Sequence, residues 1–315
     1  GLKQIWQNRH ELKNKRLKLK QKTTANWREI RLWGRENFML DLSVVIGNHK
    51  TKDVVIRGLD SLFLDATDSG LNFSTVVVDN ASDDGLESLI KEKFPAVKFM
   101  SLAQNTGFGR AQNTGIKAAP AKHYFILNPD TYFPPNQKAL RRLFDFMEEH
   151  PRVGVVGPKI LYPDGSLQYS CYRFPSFWQP FFSRTKFGQS GLGQKINEWF
   201  LMKDFDHNTT SPVDWVMGSA MLARHEAVER VGVFDENFWM YAEDSDLCRR
   251  MWEAGWPVYY LPEVVVHHEH RRGSASVPGV FMALLKNKLS RIHLLSWLKY
   301  NWKWRNNKKY YEPLP

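Results

Sequence analysis

Between residues 42 and 127 the chain alternates short apolar runs with helix-length segments. Residues 42–46, 73–79, 97–101 and 124–127 are the apolar runs, rich in β-branched and aromatic side chains. The segments between them, 51–65, 85–94 and 107–119, space their apolar residues as helices do. Strands that read as unbroken apolar runs are buried on both faces, and helices supply that cover. The pattern therefore predicts an α/β fold with a mostly parallel central sheet flanked by helices. In open sheets of this kind ligands lie beyond the carboxyl ends of the strands. Asn48, Asp79, Asn80, Asn128 and Asp130 all fall at or just past those ends.

Further along, the spacing predicts a helix over 136–149, strands over 153–156 and 159–162, and a strand over 213–217. A helix over 243–254 and strands over 258–261 and 264–268 follow. The stretch 174–210 has many aromatics and little periodicity; a structureless loop of that length is either a functional lid or a stretch whose regular elements the pattern hides. After it, Phe281, Leu285, Leu289, Ile292 and Leu295 recur at helical spacing among Lys286, Lys288 and Arg291, with Trp297, Trp302 and Trp304 following. That segment reads as a basic amphipathic helix. Three regions result: a basic arm over 1–40, a catalytic domain over 41–276, and a basic helical tail over 277–315.

Charge sharpens this division. The 315 residues carry a formal net charge of +11. Residues 1–40 contribute +8 and residues 271–315 contribute +9, so the body between them is net acidic at −6. The high pI belongs to the ends, and a nucleic-acid binder, which needs cations on its folded body, is not expected. Basic ends with interleaved tryptophans instead suit peripheral attachment to an anionic, cytoplasmic membrane face. A solubilising extension or a helix docked on the core would read the same way. The two cysteines, Cys171 and Cys248, give neither a disulfide framework nor zinc-ligand spacing, and no apolar run is long enough to span a bilayer.

Candidate chemistry clusters in a few places. Val76-Val77-Val78-Asp79-Asn80-Ala81-Ser82 ends a strand in groups that suit a nucleobase or ribose, and equally an Asx turn. Leu127-Asn128-Pro129-Asp130 places a carboxylate off the sheet edge, where a hard cation takes oxygen ligands, or where an ordinary turn lies. Tyr241-Ala242-Glu243-Asp244-Ser245-Asp246 starts a helix with three acids beside Phe238 and Trp239, more than helix-dipole capping requires. A carboxylate there can reach an acceptor proton as a general base. Of His267, His268 and His270, ending the last core strand, one could complete a metal site with Asp130, or the three could be a zinc cluster or a polar exit from the sheet. The loop Asn105-Thr106-Gly107-Phe108-Gly109, with Asn113, opens a helix near the same edge without matching a Walker or dinucleotide pattern.

In this order the segments resemble glycosyltransferase family 2, and its rhamnosyltransferase-like bacterial branch in particular, over about residues 42–276. Gly218-Ser219-Ala220 and Val233-Phe234-Asp235-Glu236 add to the match. The resemblance implies a Rossmann-like GT-A fold and an inverting, metal-dependent transfer from a nucleotide sugar, dTDP-rhamnose by the branch. It implies Asp244 as catalytic base with Glu243 beside the acceptor, and a Mg²⁺ or Mn²⁺ ion held by Asp130 and His268. It further implies a nucleotide pocket drawn from Asn48, Asp79, Asn80, Asn105, Gly107, Asn113 and Asn128. The expected acceptor is a glycan, lipid-linked in surface polysaccharide synthesis; UDP-hexoses or UDP-N-acetylhexosamines are alternative donors, and a noncatalytic membrane scaffold is the alternative role. Gly47-Asn48-His49-Lys50 stands where the family commonly has Asn-aromatic-Asn, so the base pocket is expected to differ in shape.

Overall fold

The computed structural model describes residues 40–175, 190–269 and 286–306, with the single positions 177, 179 and 188. The chain divides into two compact units, Gly1–Phe38 and Met39–Pro315, and everything described belongs to the second. The N-terminal arm and tail positions Phe281 and Leu285 lie outside the described residues.

The first half follows the apolar runs closely. Strand β1 (Leu42–Asn48) leads through helix α1 (Lys52–Ala66) to β2 (Phe73–Asp79), then through α2 (Leu86–Lys93) to β3 (Lys98–Ser101). Helix α3 (Phe108–Ala118) returns the chain to β4 (His123–Leu127), which β5 (Thr131–Tyr132) and α4 (Ala139–Glu149) follow. Strands β2 and β4 each pair with β1 in parallel, and β3 pairs with β2. Both sheet faces are covered: Val44, Ile46, Val77, Phe125 and Leu127 pack beneath Leu59, Leu62 and Leu143, while Val76 and Val78 meet Ala111 and Ala119 on the other side. Each fully buried valine, leucine or isoleucine of this set contributes roughly 2 kcal/mol.

The second half departs from the expected strands in instructive ways. Strand β6 (Val155–Leu161) is continuous across Gly157-Pro158, where two short strands were expected. Short strands β7 (Leu167–Gln168) and β8 (Cys171–Tyr172), helix α5 (Gly191–Phe200), β9 (Ser211–Pro212) and β10 (Trp215–Val216) follow. The span 174–210 therefore holds regular structure in its described part. Strand β11 (Ala220–Arg224), absent from the expected set, enters the sheet antiparallel between β4 and β6. All five of its residues are buried, and Arg224 donates to the carbonyls of Val153 and His150 just past α4. After α6 (His225–Val231) and α7 (Glu243–Glu253), β12 (Val258–His268) runs as one strand, and its register shift between Leu261 and Val265 absorbs Pro262. The main path of the sheet is β3-β2-β1-β4-β11-β6-β12-β5.

Helix α8 (Lys288–Trp304) begins at Asn287, whose side chain accepts from the Leu289 and Ser290 amides. The helix docks through its polar side: Ser290, Ser296 and Tyr300 are buried, and Leu294, Leu295 and Leu298 are exposed. No described helix is long and apolar enough to cross a membrane.

Candidate active site

The β1 and β2 ends form a tight polar knot. Asn48 donates through Nδ2 to Asp79 Oδ1 at 2.7 Å and accepts from the Thr51 hydroxyl at 2.6 Å. Asp79 Oδ2 accepts from the Ser82 amide at 3.0 Å, so the Asx turn is real and both residues are buried. Beside the knot a cleft of about 340 Å³ opens among Lys50, Thr51, Asp53, Ser82 and Asp84. Asn80 spans to the next loop, donating to Asn105 Oδ1 and the Gly107 carbonyl and accepting from the Thr106 amide. Asn113 donates to the Phe234 carbonyl and accepts from its amide. Asn80, Asn105 and Asn113 thus use their amides to brace loops against one another.

Gly107 joins the two lips of the site. Its φ of 88° and ψ of 176° lie in a region essentially reserved for glycine. A side chain there would run into the Trp239 carbonyl, and the Phe108 amide donates to that same oxygen at 2.8 Å. Loop 105–108 and loop 238–242 are therefore in backbone contact.

Strand pairing builds a second cluster. His268 stands opposite Thr131 in the β12–β5 ladder, which brings its Nε2 to 3.2 Å from Asp130 Oδ1 and 3.3 Å from Asn128 Nδ2. Its Nδ1 lies 2.7 Å from Gln168 Oε1. An acceptor there places the ring proton on Nδ1 and leaves the Nε2 lone pair to the Asn128 amide, beside the Asp130 carboxylate. An imidazole steered by an outer hydrogen bond is the usual form of a metal-ligating histidine. Among the described residues no group of three His, Cys, Asp or Glu side chains converges. A two-ligand site fits Mg²⁺ or Mn²⁺, whose shells are completed by phosphate oxygens and water. His267 points elsewhere, stacked on Tyr132 with its Nδ1 at the Tyr162 carbonyl.

The acidic helix start forms the third cluster. Asp244 accepts from the Gly218 amide through Oδ2 at 3.0 Å and from the Ser245 amide through Oδ1 at 2.8 Å. Burial nevertheless raises its pKa above the ordinary carboxylate range. Glu243 is raised well above that range by burial and then by the Asp244 charge, and among the described residues its Oε2 is buried without a partner. The turn Gly218-Ser219 links this cluster to the previous one, because the Ser219 carbonyl accepts from the Asn128 amide and the Thr131 hydroxyl. A carboxylate of raised proton affinity, half-buried at the turn that leads to the Asp130–His268 pair, can take a proton from a hydroxyl.

Sequence reasoning missed what holds this helix start. Tyr241 and Ala242 both adopt left-handed backbone, φ 69° and 66°, at about 1–2 kcal/mol each for a non-glycine residue. Helix α8 secures them: Ser296 donates to the Met240 carbonyl at 2.8 Å and His293 stacks on Tyr241. Lys303 bridges Asp235 and the fully buried Asp246, each at 2.7 Å, and Trp304 Nε1 donates to Asp246 at 3.0 Å. Nothing in the spacing of the tail pairs Lys303 with acids so distant in sequence, and Gln168 gave no signal either.

Comparison with known proteins bears on these clusters. The model of the family described as Glycosyl transferase family 2 matches residues 43–230. An N-acetylglucosaminyl-diphospho-decaprenol L-rhamnosyltransferase of Mycobacterium tuberculosis is 31% identical over 67% of this chain and 71% of that protein. Rhamnosyltransferase WbbL of Escherichia coli K12 is 28% identical over 80% of this chain and 94% of its own length. Among solved structures, GalNAc-T7 with UDP, GalNAc and Mn²⁺ superposes with a TM-score of 0.53 at 15% identity, over 79% of this chain and 48% of that one. The chain spans about half the length of that transferase, and the likeness speaks to the shared fold.

Proposed function

This chain belongs to glycosyl transferase family 2, and from that premise we propose that it moves L-rhamnose from dTDP-rhamnose, with inversion, onto a hydroxyl of a lipid-linked glycan. It is a glycosyltransferase; the donor, acceptor and site roles are the proposed part. The observation that carries the reading is the Gly218-Ser219 turn, which ties Asp244 on one side and the Asn128–Asp130 loop on the other. Base and leaving-group machinery need such a fixed separation for an in-line displacement.

In this scheme the base and ribose occupy the cleft beside Asn48, Asp79 and Ser82, with the Gly107 loop and Asn128 closing over the donor. Asp130 and His268 hold a divalent cation whose charge offsets that developing on the departing diphosphate. Asp244 takes the proton of the acceptor hydroxyl as its oxygen bonds to the anomeric carbon and the bond to the β-phosphate oxygen breaks. Its raised pKa improves it as a base while its two amide partners fix its direction. Glu243 lies beneath the acceptor. The relatives are named rhamnosyltransferases, one of them for a polyprenyl-diphosphate acceptor, which supports donor and acceptor class alike. The enzyme is proposed to work on the cytoplasmic face of the cell membrane, where its basic ends meet anionic headgroups.

The test is donor binding and turnover with dTDP-rhamnose, UDP-glucose, UDP-N-acetylglucosamine and GDP-mannose, with and without Mn²⁺. Binding of dTDP-rhamnose that needs Mn²⁺ and weakens in Asp130→Ala is expected, with turnover but not binding lost in Asp244→Asn. Preference for another donor overturns the rhamnose assignment, and metal-independent turnover overturns the cation role.

A further inference from the structure

Helix α8 presents two unlike faces. The inner one is polar: Ser290, Ser296 and Tyr300 are buried, and Ser296, Lys299 and Lys303 bond to the 235–246 region. The outer one is apolar: Leu294 is 39% exposed, Leu295 55%, Leu298 45% and Trp302 69%. Positions 295, 298 and 302 recur at helical spacing, so these side chains form one stripe along the helix. A helix packed on a protein body ordinarily turns its leucines inward, and here the polar stripe docks while the leucines remain outside.

Charge identifies what the stripe fits. Lys288 and Arg291 precede it, and Arg305 follows with its guanidinium 3.8 Å from the centre of the Trp302 ring. No Asp or Glu occurs between Lys286 and Asn306. Leucines framed by cations, with an interfacial tryptophan and no carboxylate, match an anionic bilayer, where apolar side chains enter the acyl boundary and cations meet headgroups. A second copy of the chain on this face would set like-charged helices together, which disfavours a dimer. We propose that the outer face of α8 is the surface by which this enzyme lies on an anionic lipid membrane. The inner face of the same helix holds the start of α7, so the membrane contact and Asp244 are carried by directly bonded elements. The proposal deepens the lipid-linked acceptor reading and rests on it only for its purpose, since lipid binding is measured without any sugar transfer.

The test is cosedimentation of the full chain with phosphatidylcholine vesicles, with and without phosphatidylglycerol. Expected is binding that requires phosphatidylglycerol, weakens with added salt, and drops about tenfold or more in Leu295→Glu/Leu298→Glu/Trp302→Glu. The uncharged Leu298→Ser/Trp302→Ser pair, expected to lose several-fold, separates lost insertion from added repulsion. Circular dichroism and donor binding stay at wild-type levels in both variants, because the substituted side chains are exposed. Full vesicle binding by either variant, or none by the wild type, overturns the proposal whatever the fate of the donor assignment. So does a wild-type dimer that the triple substitution converts to monomer without any vesicle binding.

Discussion

Replacing Gly107 with alanine tests whether the two loops form one unit. The backbone there, φ 88° and ψ 176°, costs any other residue about 1–3 kcal/mol. The added Cβ would also sit 2.8 Å from the Trp239 carbonyl carbon and 2.9 Å from the first carbon of its ring, and closer still to the carbonyl oxygen. A backbone carbonyl cannot swing aside as a flexible side chain does, so loop 238–242 must move. That movement breaks the Phe108–Trp239 hydrogen bond, worth about 1 kcal/mol. The sum is about 3 kcal/mol or more, a large share of a typical domain's stability. Gly85→Ala is the internal control, since φ is 77° there and nothing lies within 4 Å of the new methyl, leaving a backbone cost of about 1–2 kcal/mol. Urea unfolding of both variants, with turnover measured below the transition, isolates the loop contact. Gly107→Ala should be the less stable by about 2 kcal/mol and lose most of its turnover while still folded. Equal stability of the two variants with unchanged turnover would refute the reasoning.

Other expectations follow from the buried charges and the histidine support. Glu243→Gln should stabilise the protein by about 1 kcal/mol at neutral pH. Its folded-state pKa is raised, so the wild type loses stability as pH rises through that value, and the gain should vanish at low pH; a gain confined to acid would contradict this. Lys303→Ala should cost about 1–2 kcal/mol, discounted because the lysine side chain is 32% exposed, and lower turnover, with Lys303→Arg restoring both. Burial raises the Asp235 pKa but Lys303 outweighs it and holds it low, so the lost stability is full at neutral pH and shrinks as pH falls through that depressed value. Urea titrations at several pH values check both variants. Gln168→Leu should weaken Mn²⁺ binding by about 10-fold or more, read by calorimetry with the donor present; unchanged affinity would remove Gln168 from the site.

The sequence exposed the first half of the fold because its strands are mostly apolar and β-branched, and β2 ends at Asp79 as expected. Strand β11 was hidden because Ala-Met-Leu-Ala-Arg has no β-branched residue, and its place depends on neighbours on both sides. Pro158 and Pro262 split β6 and β12 into apparent pairs, although Pro158 stands opposite Leu261, where the ladder is already irregular. Within the site, the polar ends of the strands were legible and the resemblance singled out His268, whereas the hydrogen-bond partners of the asparagines were not legible. An amide that braces a loop gives no sign of it in sequence, as Asn80 and Asn113 demonstrate. The tail reads as helical and basic, and which face docks is fixed by partners near Asp235 and Asp246 that lie far away in the chain.

The Asp130–His268 pairing also orders events during synthesis. Asn128 and His268, in the same cluster, lie 140 residues apart, and β12 is the last strand of the core. A chain emerging from the ribosome can pair β1 through β4 long before His268 exists, whereas distant pairings form late. A half-made polypeptide can therefore hold the Asn48–Asp79–Ser82 knot while lacking the histidine on which the proposed cation site depends. On the proposed scheme competence arrives with the final core strand, so an unfinished chain neither holds nor wastes the donor.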